Sequence, residues 1–133
     1  MSKKSEYKLK NEAFLEDLKG KEGILELPCG ILYRVLQQGE GSRQPNMGSI
    51  VAVHYKGSLI NGRVFDDSRE RGCPEAFRLR ELVTGWQIAL QRMRPGDRWE
   101  IYLPAAVGYG AKTSGPIPGN STLIFDIELL GVA

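Results

Sequence analysis

Apolar residues recur at every second position in several stretches of the chain, and that period predicts short strands with one buried face. It runs over residues 31–36. Over residues 51–55 it puts Val51, Val53 and Tyr55 on one face, and after residue 98 it puts Trp99, Ile101 and Leu103 on another. The longest run alternates Leu123, Phe125, Ile127 and Leu129 with Thr122, Ile124, Asp126 and Glu128. Phe77 and Leu79, either side of Arg78, predict one more short strand. Trp86, Ala89, Leu90 and Met93 instead fall at i, i+3, i+4 and i+7, the spacing of one helix with one buried stripe. Asn61-Gly62, between Leu59-Ile60 and Val64-Phe65, predicts a hairpin closed by a type I′ turn. Pro95-Gly96 fits the two central positions of another turn. Near the N-terminus, Asn11 is placed to cap a short helix over residues 12–18, with Phe14, Leu15 and Leu18 as its apolar edge and Gly20 as its stop.

Many short antiparallel strands around a single helix, with no βαβ alternation and no internal repeat, predict an α+β domain in which a curved sheet wraps one central helix. The chain has 133 residues. That length suits one such domain over residues 21–133, with residues 1–20 as a helical extension. Eighteen basic against sixteen acidic side chains leave a formal charge of +2, which nominates no nucleic acid as partner. Cys29 and Cys73 lack CxxC spacing and read as free thiols. Acids interrupt every apolar run of the N-terminal segment, so neither a signal-peptide core nor a membrane span is predicted. The chain therefore reads as cytoplasmic, although a secreted precursor trimmed of its signal would look the same.

His54 is the single histidine, on the strand face opposite Tyr55. With no HExxH, no Cys/His cluster, no GxSxG and no P-loop, the residues for metalloprotease, α/β-hydrolase and nucleotide chemistry are missing. No metal and no cofactor are expected.

What remains is a set of motifs in a fixed order: VFDDSRERG at 64–72, GW at 85–86, VGYG at 107–110 and IPGNSTLIFDIELL at 117–130. Together they resemble the ligand pocket of the FKBP family of peptidyl-prolyl cis-trans isomerases, over residues 24 to 130. The segment LPCGILYRVLQQGEG at 27–41 is similar to the bacterial members of the macrophage infectivity potentiator type. Those relatives usually carry a long dimerising helical region, whereas some twenty residues precede the domain here, so a monomer is expected.

The resemblance implies a noncovalent isomerase acting on proline-containing polypeptides, with an apolar residue preferred before proline, and able to take a macrolide such as rapamycin. Rotating a prolyl amide needs neither nucleophile nor cofactor, since the barrier of about 18–20 kcal/mol comes from amide resonance. An apolar site favours the twisted, less polar amide. By resemblance, Trp86 is the floor of the pocket, Tyr55, Phe65, Phe77 and Phe125 are its walls, and the backbone of Val83 contacts ligand. Ile117 matches a residue whose N–H receives a substrate carbonyl, Tyr109 a loop hydroxyl bonded to ligand, and Asp66 the carboxylate near the rotating amide. On spacing alone the four rings at Phe65, Phe77, Trp86 and Phe125 are plain core, Asp66 a turn residue and Tyr109 a loop tyrosine. A weakly catalytic module that binds proline peptides, or a folding chaperone, is the alternative from another class. Glu75 stands where well-known members have another aromatic, which predicts a less apolar rim. Gly119 replaces a common proline, which predicts a looser loop. No residue before Gly20 maps onto the pocket, so removing residues 1–20 is expected to leave isomerisation near normal.

Overall fold

The computed structural model describes residues 2–133. Helix α1 spans Lys3–Leu18, starting well before the predicted helix. Ser2 is its N-cap and accepts a hydrogen bond from the Ser5 N–H at 3.1 Å. Most of the first two turns are straight-chain Lys, Glu and Leu residues, which lose little rotamer freedom in a helix and let it propagate back to that cap. Gly20, at φ +83°, ends it in the left-handed conformation glycine tolerates. Asn11 is therefore no cap. It lies mid-helix, only 2% exposed, bonded to Thr122 just before β7.

The strands are β1 (Leu25–Glu26), β2 (Leu32–Gln37), β3 (Ile50–Ser58), β4 (Val64–Asp67), β5 (Glu75–Arg78), β6 (Arg98–Leu103) and β7 (Leu123–Val132). They form one antiparallel sheet in the order β1-β2-β6-β7-β3-β4, and β5 also pairs with β3. The outer edge of β3 is shared: residues 50–53 pair with β5 and residues 56–58 with β4. Helix α2 (Thr84–Leu90) packs against the face built by the alternating apolar positions. Val51, Val53, Ile101, Leu103, Ile127 and Leu129 are completely buried there with Ala89, Leu90 and Met93 of the helical stripe. Each such aliphatic side chain contributes about 1.5–3 kcal/mol by leaving water, so this shared core fixes where α2 sits. Leu79 is buried as predicted but begins a 3₁₀ turn, Leu79–Glu81, rather than ending a strand.

The β3–β4 hairpin is present with a different turn. Gly62 has φ +89° while Asn61 does not enter the left-handed region, and the Gly62 N–H donates to the Leu59 carbonyl at 2.9 Å. This is an ordinary turn followed by a left-handed glycine; a separate register shift lies farther along the hairpin, between Gly57 and Ser58, where Phe65 is the extra residue on β4. The Asn61 side chain accepts from the Arg63 N–H at 2.9 Å, stabilising that alternative. At the next turn Gly96 has φ +94° and the Asp97 N–H donates to Arg94 at 2.9 Å, the type II geometry that Pro95-Gly96 favours. A second, smaller apolar cluster joins Phe14, Leu15 and Leu18 of α1 to Ile24, Leu32, Tyr102 and Ile124 on the other face of the sheet.

Candidate active site

Where α2 meets the β3, β4, β5 and β7 strands, a cavity of about 300 Å³ opens, lined by Tyr55, Phe65, Asp66, Phe77, Glu81, Leu82, Val83, Trp86, Tyr109 and Phe125. Each ring is brought there by local structure. Tyr55 and Phe125 come from the inward positions of β3 and β7, while Trp86 opens the buried stripe of α2. Gly57 is small for a reason: a Cβ there would lie 2.6 Å from the ring of Phe65.

Trp86 is ringed by edge-on partners. Tyr55 stands 5.1 Å away at 83°, Phe125 5.2 Å away at 87° and Phe77 6.0 Å away at 88°, and Phe65 meets Phe125 edge-on at 5.7 Å. Such contacts set the positive edge of one ring against the negative face of another and hold both in place.

Two charged side chains, Asp66 and Glu81, line this aromatic cavity, and Asp66 is fully engaged. The Tyr55 hydroxyl donates to Oδ2 of Asp66 and Nη1 of Arg71 donates to Oδ1. Arg71 also donates to the Tyr55 oxygen at 3.3 Å and, through Nε, to Glu75 at 3.2 Å. Partial burial pushes the Asp66 carboxyl up, but the hydrogen bonds from Tyr55 and Arg71, with the Arg71 charge, outweigh it and hold it below the ordinary carboxylate value. Burial, aided by the bond to Asp66, pushes the Tyr55 phenol up to about 12. At neutral pH the pair is thus a carboxylate and a neutral phenol. Neither is poised to transfer a proton.

The structure brings together every expected site residue except Ile117. That residue is buried on the neighbouring loop, where its N–H donates to the Ser114 carbonyl at 3.0 Å and its own carbonyl accepts from the Ser114 N–H at 2.9 Å. A substrate carbonyl would have to replace Ser114 to reach that N–H. Val83 lines the cavity, and its carbonyl accepts from Trp86 and Gln87 at the start of α2. Tyr109 is 44% exposed at the mouth.

Glu75 does not form the rim. Its carboxylate turns to Arg71, and Glu81 with Leu82 lines the cavity instead. Sequence reasoning missed those two residues and Arg71. The available signals were the adjacency of Glu81 and Leu82 to Val83, and a cation five residues after Asp66. Gly119 itself is closely packed. A Cβ there would lie 2.1 Å from the Ala111 carbonyl oxygen, and the Gly119 N–H donates to the Thr113 hydroxyl at 3.2 Å, so a proline could neither fit nor donate.

His54 lies opposite Tyr55, its Nδ1 2.9 Å from the hydroxyl of buried Ser68. That is a structural role. Among the described residues no group of three or more His, Cys, Asp or Glu side chains could hold a metal ion, and no helix is long and apolar enough to cross a membrane. Cys29 and Cys73 are both exposed and free.

Residues 41–130 match the family profile described as FKBP-type peptidyl-prolyl cis-trans isomerase. The chain is 46% identical over 124 residues to the peptidyl-prolyl cis-trans isomerase Mip of Coxiella burnetii, covering 92% of this chain and 54% of the relative. It is 42% identical over 131 residues to the outer membrane protein MIP of Legionella longbeachae, covering 98% of this chain and 56% of the relative. The chain thus spans about half the length of these curated relatives. The name of the second lends the cytoplasmic expectation no support. Among solved structures, the peptidyl-prolyl cis-trans isomerase from Pseudomonas syringae pv. tomato superposes with a TM-score of 0.91 at 34% identity, covering 100% of this chain and 98% of that one. Motif order, aromatic cavity, fold and relatives agree: the chain belongs to the FKBP-type peptidyl-prolyl cis-trans isomerase family and is similar to its macrophage infectivity potentiator members.

Proposed function

We propose that this protein accelerates rotation about Xaa-Pro peptide bonds of flexible polypeptides, without a covalent intermediate and without a cofactor. The observation that carries the reading is the aromatic enclosure around Trp86, edged by Tyr55, Phe77 and Phe125 within about 300 Å³. A prolyl ring set on Trp86 leaves its amide among ring edges with little water. The planar amide is charge-separated and loses hydration there, while the twisted amide, with its resonance broken, loses less. The difference lowers the barrier.

In this reading Trp86 is the floor and Tyr55, Phe65, Phe77 and Phe125 are the walls, with the backbone of Val83 and, after exchange of the Ser114 bond, the N–H of Ile117 as anchors for substrate carbonyls. Tyr109 supplies a hydroxyl at the mouth. Asp66, already paired with Tyr55 and Arg71, acts through its field on the rotating amide rather than by giving or taking a proton. Leu82 and Phe77 favour an apolar residue before proline. The same cavity suits a macrolide such as rapamycin. The catalytic unit spans residues 21–133, with residues 1–20 as a helical extension, and the chain works as a monomer.

A protease-free assay on a short Leu-Pro peptide tests the proposal. Catalysed exchange that survives a chelator is expected. Peptide binding without accelerated exchange would instead make the protein a proline-binding module.

A further inference from the structure

The cavity has a rigid side and a side that must be held. Its floor and sheet walls belong to the main core, and the loop 104–122 between β6 and β7 reaches that core through Val107 and Ile117 while it carries exposed Tyr109 at the mouth. Helix α1 lies behind that loop and meets it through a few directed contacts. The Tyr7 hydroxyl lies 2.6 Å from the Ser121 Oγ, and Ser121 spends its own proton on the Pro118 carbonyl at 2.7 Å, so Tyr7 is the donor to Ser121. Asn11 Oδ1 accepts from the Thr122 N–H at 2.7 Å, while its Nδ2 donates to the Tyr7 carbonyl at 2.8 Å. The Thr122 hydroxyl donates to the Asn11 carbonyl at 3.3 Å.

These contacts pass into the pocket. Pro118 adjoins Ile117, and the Asn120 N–H donates to the Gly110 carbonyl at 2.8 Å, tying the second leg of the loop to the residue beside Tyr109. Val107 and Ile117 pack one side of the loop into the core, but on the side facing α1 packing does not do this job. A cleft of about 440 Å³ lined by Tyr7, Lys112 and Thr113, and one of about 370 Å³ lined by Asn11, Leu15 and Ala111, open between helix and loop. Burying an amide is unfavourable unless each of its groups is satisfied. An aliphatic residue at position 11 would anchor the helix as well but could not receive the Thr122 N–H.

We propose that α1 braces the active-site loop, and that Tyr7 and Asn11 are positioning residues holding Tyr109 and the 117 segment against the cavity. The inference rests on the isomerase reading for its effect on catalysis, but not for the brace itself. It replaces the expectation that residues 1–20 are dispensable.

The test compares full-length wild type with Tyr7→Phe, Ser121→Ala, the double variant and Asn11→Ala by amide hydrogen exchange and by isomerisation kinetics, at a temperature where circular dichroism shows each folded. Tyr7→Phe deletes one oxygen and keeps the ring, so it guards against a folding failure of Asn11→Ala. Amides of residues 110–121 are expected to exchange about fivefold faster in Tyr7→Phe, with kcat/KM lowered by a similar factor, the effect of one neutral hydrogen bond. Ser121→Ala also removes the bond to Pro118, so the double variant should lose no more than Ser121→Ala alone, which a merely destabilised fold would not produce. Wild-type exchange in this loop, or faster exchange at unchanged kcat/KM, would overturn the proposal. If wild type itself proves inactive, the isomerase reading fails separately, and loop exchange together with the proline-peptide dissociation constant in the same variants still decides the brace.

Discussion

Asp66 accepts a hydrogen bond from the neutral phenol of buried Tyr55 and another from the guanidinium of Arg71, and the Asp66 and Arg71 side chains are partly exposed, at 35% and 41%. Removing the carboxylate leaves Trp86 and the walls in place but takes away the field at the rotating amide. Asp66→Ala is therefore expected to lower kcat/KM about tenfold, near 1.4 kcal/mol of barrier, while the dissociation constant for rapamycin, which does not twist, changes less. Equal losses in both would assign Asp66 to binding or folding. The same group makes stability depend on pH with a defined sign. A carboxyl whose folded-state pKa lies below its unfolded value of about 3.9 adds stability above that pH, and the addition is lost as pH falls through the folded value. In urea denaturation, wild type should exceed Asp66→Asn by a constant margin above about pH 5, and the margin should shrink below about pH 4. A margin unchanged at pH 3 would contradict the assignment. The sequence made Asp66 legible through the FDD motif, but Arg71 stayed hidden because nothing in a run of alternating charges says which cation turns inward.

At the scale of elements, periodicity was readable where burial is one-sided. The stripe Trp86, Ala89, Leu90 and Met93 and the inward faces of β3, β6 and β7 are found as the pattern implies. Trp86 carries the largest share of α2's contact with the cavity, and Trp86→Ala is expected to cost about 3–5 kcal/mol of stability and to weaken both catalysis and macrolide affinity; a loss below about 1 kcal/mol in urea denaturation would contradict its place in the core. Helix α1 was half legible. Phe14, Leu15 and Leu18 mark its docking edge, but the first turns carry no apolar stripe, so their helicity rests on propensity and the Ser2 cap. Asn11 misled because asparagine is a common cap and periodicity cannot tell a buried amide from an exposed one. Its partner, Thr122, lies 111 residues away. At the hairpin, Asn61-Gly62 fixed that a turn occurs but not its type, which the Asn61 to Arg63 bond decides.

The molecule as a whole joins two apolar clusters across one sheet, with α2 on the concave side and α1 on the other. Phe14, Leu15 and Leu18 are spent on Tyr102 and its neighbours, leaving Leu9, 49% exposed, as the large hydrophobic residue of α1 open to solvent. One such side chain is far short of the roughly 1,000 Å² of a specific interface. Sedimentation should therefore give a monomer, and a stable dimer would contradict that reading. The sheet order and the shared edge of β3 were not legible, because strand pairing is set by contacts distant in sequence that no local pattern records. Nor was the bond between Ile117 and Ser114, which is made by loop geometry. What those long-range contacts create is the enclosed aromatic site, and its proposed chemistry is the central claim. The direct measurement is exchange NMR on a Leu-Pro peptide with catalytic amounts of the full chain, in chelator, before and after saturation with rapamycin. Accelerated cis-trans exchange that disappears when the macrolide fills the cavity is the predicted result. Peptide that binds beside Trp86 yet exchanges at its uncatalysed rate would contradict the account.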